Sequence, residues 1–231
     1  MAQNSVQKQT VYHAALPKNN GNGQSKNRPK NKNKGSYFAR SKSNNSNNNK
    51  KPQDMTGSQE KVSFKASKTL KMCFLSGLEE VGRNMAFLEH GNDILIMDAG
   101  FGFPSDDMPG IDYVIPDVGY LQQKRHRIKG LVLTHGHMDH IGAIPYIIDK
   151  LGNPTVYGTN LTIGILKEKL VEFGLDKKVK TVVINPDKDN LTLGVFKVSF
   201  FRVNHNIPDT VGFIIDTPSG RIVHTADFKF D

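Results

Sequence analysis

The chain has 231 residues, 37% of them hydrophobic, with 31 Lys and Arg against 22 Asp and Glu and a formal net charge of +9. A single cysteine, Cys73, excludes an intramolecular disulfide framework, and no uncharged apolar run reaches the roughly 18 residues of a membrane span. The charge is unevenly placed: residues 1–68 hold 12 Lys and 2 Arg against Asp54 and Glu60, a surplus of +12 that leaves −3 for residues 69–231, so a uniformly basic protein is ruled out as well.

Residues 1–68 come first and predict no element. Runs such as Asn47-Asn48-Asn49 alternate with Lys30, Lys32, Lys34, Lys50 and Lys51. Asparagine side chains compete for backbone hydrogen bonds, and Tyr12, Leu16, Tyr37 and Phe38 bury too little surface to offset the entropy of ordering. A disordered basic tail is expected, serving either as a salt-sensitive tether to polyanions or as a solubilising extension. The N-terminus has no apolar segment of the secretory type, so a soluble chain in the reducing cytoplasm is expected.

From Thr69 onward, short apolar runs alternate with turn residues. Residues 72–75, 85–89 and 94–97 are predicted strands, punctuated by Gly77, Gly82, Gly91 and Asn92. Residues 131–133 predict another. Helical spacing follows at Ile141, Ile144, Ile147, Ile148 and Leu151, and again at Leu161, Ile163, Leu166, Leu170 and Phe173, with Gly174 as a stop. Further strands are predicted over 181–184, 195–203, 211–215 and 221–225. Interleaved strands and helices point to an α/β layered domain over residues 69–231.

The most informative stretch is Thr134-His135-Gly136-His137-Met138-Asp139-His140, directly after an apolar strand. An extended backbone points His135 and His137 to one side, and Asp139 and His140 open the next helix, where a carboxylate also suits the positive end of the dipole. Imidazole and carboxylate together suit zinc, and also manganese or iron. His205 and Asp227 each follow a predicted strand and so lie at strand ends, where loops gather into sites. His13, His90 and His126 read as solvated surface, and Lys124 to Arg127 as a charged helix face within reach of phosphates. Cys73 reads as a small core residue, and His224 as a strand histidine near Asp227.

The His-x-His-x-Asp-His pattern, with Asp98 in Ile96-Met97-Asp98-Ala99-Gly100, resembles the signature of the metallo-β-lactamase superfamily. The wider text resembles the bacterial ribonuclease J family: Gly77-Leu78-Glu79-Glu80-Val81-Gly82-Arg83-Asn84, Gly110-Ile111-Asp112-Tyr113-Val114-Ile115-Pro116-Asp117, His205-Asn206-Ile207-Pro208-Asp209 and His224-Thr225-Ala226-Asp227-Phe228-Lys229-Phe230-Asp231. The resemblance implies an αββα layered sandwich, here its N-terminal part. It also implies two zinc ions, with manganese as the alternative. His135, His137 and His205 would hold one ion, Asp139 and His140 the other, and Asp227 would bridge them. Asp139, His140 and Asp227 would then serve catalysis, with Asp98 orienting a histidine from behind. A calcium site at Gly110 and Asp112 occurs in some members, although a structural turn is the better reading of those residues alone.

The implied reaction is hydrolysis of RNA phosphodiesters, 5′ to 3′ from an end and also internally, in RNA processing, rRNA included, and decay. RNA is the implied partner, together with further copies of the full-length protein. The alternatives are another hydrolase of the fold, acting on a thioester or lactam, and an inactive metal- or RNA-binding fragment. Ser76, Glu79 and Ala226 stand where the family often has glycine, and Met138 fills a variable position. Ala226 is expected to have ordinary backbone angles, because a positive φ is costly without glycine. The family continues beyond the position of Asp231 into an RNA-gripping domain, so this chain is expected to be an N-terminal portion that binds the first metal better than the second.

Overall fold

The computed structural model describes residues 69–230 and, before them, only the backbone of Thr10–Tyr12; the disordered tail expected over residues 1–68 otherwise lies outside the described residues. All described residues belong to one compact unit, Met1–Ala15 with Lys65–Asp231. In chain order the elements are β1 (Thr10–Tyr12), β2 (Lys71–Ser76), β3 (Met85–His90), β4 (Asp93–Met97), β5 (Tyr113–Ile115), α1 (Gly119–Gln123) and β6 (Ile128–Val132). Then come α2 (Met138–Ile141), α3 (Ile144–Ile147), β7 (Val156–Gly158), α4 (Asn160–Glu172), β8 (Thr181–Val183) and β9 (Leu191–Leu193), followed by β10 (Phe196–Arg202), β11 (Val211–Thr217) and β12 (Gly220–His224). No helix among the described residues is long and apolar enough to cross a membrane.

A mixed sheet ordered β2-β3-β4-β6-β7-β8 forms the centre, antiparallel from β2 to β4 and parallel from β4 to β8. Its inner strands are mostly apolar because both faces are covered. The pleat sorts them: Met85, Phe87, Ile94, Ile96, Leu131 and Leu133 join one core cluster, whereas Ala86, Leu88, Leu95, Met97 and Val132 join the other. Leu121, Ile141, Ile144, Ile147, Ile163, Leu166 and Leu170 place all four helices in the first cluster. The second cluster is completed by an antiparallel sheet, β12-β11-β10-β9, through Phe196, Val198, Phe200, Val211, Phe213 and Ile215. The layers are therefore helix, sheet, sheet. No helix among the described residues covers the outer face of the second sheet, where Lys197 and Val223 are exposed.

The long helix predicted from Ile141 to Leu151 is instead the short pair α2 and α3. Pro145, in the first turn of α3, has no N–H to donate, and its ring would strike the Ile141 carbonyl in a continuous helix. The 13-residue α4 matches its pattern and stops before Gly174. β5, β7 and β9 have three residues each, too few for periodicity to show.

One polar residue interrupts the apolar run of β3. Glu89 is 5% exposed. Its carboxylate receives hydrogen bonds from the Tyr120 hydroxyl and from Lys124 Nζ at 3.0 Å, with Arg127 Nη2 at 2.7 Å. Lys124 and Arg127 thus serve an internal ion cluster, whereas Arg125 and His126 remain exposed. Burial opposes ionisation of Glu89, but the Tyr120 and Lys124 hydrogen bonds and the Arg127 charge outweigh it and hold the group below its ordinary value of 4.5. Glu89→Gln leaves two cations facing a neutral amide and should cost about 2–3 kcal/mol at pH 7. A depressed carboxylate stabilises above its unfolded value, and that contribution fades as pH falls through the folded value. Urea unfolding at pH 7 and pH 3 should therefore show a larger wild-type advantage at the first pH than at the second.

Candidate metal centre

The site lies where strands of both sheets end. β4 ends at Met97 and the chain turns at Asp98, whose φ is 55°. β6 ends at Val132 and runs through Thr134, His135 and His137 into α2, with His137 in extended conformation at the helix cap. β10 delivers His205 and β12 delivers Asp227 from the second sheet. Main-chain hydrogen bonds bind the first-sheet segments together: Asn84 N–H to the Asp139 carbonyl at 2.9 Å, Gly100 N–H to the Asn84 carbonyl at 2.9 Å, and Ala99 N–H to the His140 carbonyl at 2.7 Å. Glycine is required at position 100, because a Cβ there would meet the Asp139 carbonyl oxygen at 1.5 Å.

Two groups of donor atoms result. In the first, His135 Nε2 lies 3.0 Å from His137 Nδ1, which lies 3.3 Å from His205 Nε2. In the second, His140 Nε2 lies 3.3 Å from Asp227 Oδ2, with His135 within reach of both. Within each group the donor atoms fall inside 4.8 Å of one another, a spacing that can hold a cation. Asp227 Oδ2 also lies 3.9 Å from His205 Nε2 and so faces both groups. Asp139 sits at the edge of the second group, its Oδ2 3.6 Å from His140 Nε2.

Behind the donors lies a dry anchor. Asp98 is 2% exposed; its Oδ1 accepts from Thr134 N–H at 2.8 Å, and its Oδ2 from the Thr134 hydroxyl at 2.8 Å and from His140 Nδ1 at 2.9 Å. Burial would raise its pKa, but the facing His140 charge and hydrogen bond lower it, so the carboxylate is ionised. Burial, reinforced by the His140 charge, pushes His135 down to about 3 and leaves a neutral imidazole with a free lone pair. Burial also opposes charge on His140, yet Asp98 and Asp227 raise it to about 10. The His140 hydrogen bond takes Asp227 down to about 2. A cation at His140 would replace that proton, the normal linkage between metal and proton binding. Imidazoles converging beside carboxylates fit a divalent metal in donor type.

His135, His137, Asp139, His140, His205 and Asp227 are brought together, with Asp98 behind them. Gly110 and Asp112 are not: they lie in the loop before β5, Asp112 is exposed, and it joins neither donor group found among the described residues. His224 stacks on Phe213 with ring centroids 5.6 Å apart and accepts from Ala226 N–H at 3.2 Å. His90 contacts Ser219, Cys73 packs partly buried against the helical-side core, and His13 lies outside the described residues. Two residues escape sequence reasoning, Thr134 and Asn84, whose Nδ2 lies 3.0 Å from His140 Nε2. Neither type is a metal donor by habit, so only their neighbours reveal them.

The backbone expectation for Ala226 is overturned, since its φ is 54°. The turn that carries Asp227 into the site imposes a left-handed conformation whatever residue stands there. Glu79 shares the conformation at φ 58°. An alanine in that region costs roughly 1–2 kcal/mol, partly offset by the greater freedom that glycine loses on folding. Ala226→Gly should therefore raise stability by about 0.5–1 kcal/mol, read as a higher thermal midpoint of the metal-free chain.

The chain was compared with known proteins. The profile of the metallo-beta-lactamase superfamily matches residues 78–231. Ribonuclease J 1 of Streptococcus pyogenes is 45% identical over 157 residues, 68% of this chain and 28% of that protein. Ribonuclease J2 of Bacillus subtilis is 44% identical over 72% of this chain and 30% of its own length, and ribonuclease J of Thermus thermophilus 44% identical over 68% and 28%. The chain thus spans less than a third of each of these relatives. Among solved structures, the metallo-beta-lactamase fold protein YhfI of Bacillus subtilis matches with a TM-score of 0.50 at 20% identity, covering 70% of this chain and 64% of that one. A protein of unknown function from Enterococcus faecalis matches with a TM-score of 0.55 at 19% identity, covering 71% and 44%. With the sheet order, the donor cluster and these matches in agreement, the chain belongs to the metallo-beta-lactamase superfamily and is a homologue of the ribonucleases J.

Proposed function

We propose that this chain carries the metal-holding part of a ribonuclease J-like hydrolase that cleaves single-stranded RNA, from its 5′ end and internally, in RNA processing and decay. His135, His137 and His205 would hold one cation and Asp139 and His140 a second, with Asp227 shared, zinc being the first choice and manganese the alternative. Bound cations of this kind supply Lewis acidity to a phosphoryl oxygen and lower the pKa of water. The protein's own share is preparation. Burial keeps His135 neutral at working pH. His140 Nδ1–H donates to the Asp98 carboxylate, which turns Nε2 toward the site. Asp227 is half-exposed, and that open side is where a phosphodiester would enter.

The observation that carries this reading is the position of Asp227, facing His140 at 3.3 Å and His205 at 3.9 Å, a shared carboxylate between two imidazole groups.

The full chain, reloaded with Mn²⁺ or Zn²⁺, should shorten 5′-monophosphorylated single-stranded RNA, lose that activity to a chelator, and leave a thioester substrate intact. Asp227→Ala should lower RNA cleavage by about 100-fold or more, the scale of removing one preorganised charge-stabilising group. Cleavage that survives both the chelator and the substitution, or turnover of the thioester alone, would sink the reading.

A further inference from the structure

Asp139 is the one donor that neither three-residue group includes, although it lies beside His140. What sets its carboxylate is therefore a question separate from what sets the histidines. The groups around it give an answer. Asn84, half-buried in the segment entering β3, has its main chain held on both sides, its N–H bonded to the Asp139 carbonyl and its own carbonyl to Gly100 N–H, both at 2.9 Å. Its side chain is confined as well, since even a Cβ placed on Gly77 would come within 2.7 Å of Asn84 Oδ1. The amide nitrogen then lies 3.2 Å from Asp139 Oδ2 and 3.0 Å from His140 Nε2. The carboxylate oxygen accepts, so the Asn84 atom facing it is the NH₂ group.

We propose that Asn84 is a positioning residue for Asp139: its amide N–H holds Oδ2 beside His140 and so determines how tightly the second cation is held, with little effect on the first. This rests on the two-cation reading above. The His135–His137–His205 trio makes no contact with Asn84 in the hydrogen-bond network and serves as an internal reference. Asn84 keeps the Asp139 carboxylate from turning outward, where it is already 29% exposed. A cation on His140 Nε2 leaves that nitrogen nothing with which to accept from the amide, so Asp139 Oδ2 is the acceptor facing Asn84 Nδ2 in the loaded site. Orienting partners of this kind change metal affinity by about 10–100-fold.

The test is a cobalt titration of the chelator-stripped, full-length chain, followed by visible absorption and checked by metal stoichiometry. Wild type, Asn84→Leu, which keeps the branched shape but has no donor, and Asn84→Ala are compared. The expected result is two classes of ion in wild type and, in both variants, a first class within about 2-fold of wild type with a second class weakened by about 10-fold or more. A variant that fails to fold would lose the first class too, so the first class reports on integrity. Adding Asp139→Ala closes a double-mutant cycle, in which the Asn84 substitutions should have no further effect. If wild type shows two classes and Asn84→Leu leaves both unchanged, or weakens both equally, the positioning role is wrong while the two-cation reading stands. If wild type shows no second class, the two-cation reading falls and the proposal with it.

Discussion

The structure of the site depends on one buried carboxylate. Asp98 has left water almost completely, and an ion in that position is tolerated only if its lone pairs are met. Thr134 meets them twice, through N–H and hydroxyl, and His140 meets them once. Those three bonds join the end of β4 to the loop after β6 and to α2. The same contacts fix the ring of His140. A packing requirement and a chemical requirement are thus satisfied by one set of atoms, and neither can be altered without the other.

The fold makes that arrangement available. Parallel pairing of β4 with β6 brings two strand ends to the same edge, with Met97 registered against Val132. Burial on both faces leaves those strands no freedom to slip, because a shift of one residue would exchange the two core clusters. The second sheet adds His205 and Asp227 from its own strand ends, and Val211 N–H reaches the Thr134 carbonyl at 3.0 Å. The donors are rigid because the strands behind them are.

Much of this was legible in the amino-acid order. The apolar runs of β3, β4, β10 and β11 are long enough to show period and bounded clearly enough to place. His135, His137, Asp139 and His140 stand out because four donors within six residues are rarely accidental. His205 and Asp227 needed the family resemblance, since a lone histidine or aspartate after a strand is ordinary. What could not be read follows from physics that acts across the fold. Pro145 splits a helix that the apolar spacing joins. Glu89 looks like a strand-end charge until Lys124 and Arg127 arrive from 35 and 38 residues away in the chain to neutralise it. Ala226 has a left-handed backbone because its neighbours require it, which no propensity of alanine reveals.

The division of donors between sheets has a consequence for how the molecule is held together. His137 and His205 are 68 residues apart in sequence and belong to different layers of the sandwich. A cation shared by them would act as a removable cross-link, closing a loop of that length in the manner of a disulfide but answering to metal concentration instead of redox state. Without such a cation the clamp between the two sheets would be looser, and the face most affected would be the seam formed by Val132, Leu193, Phe196 and Phe213.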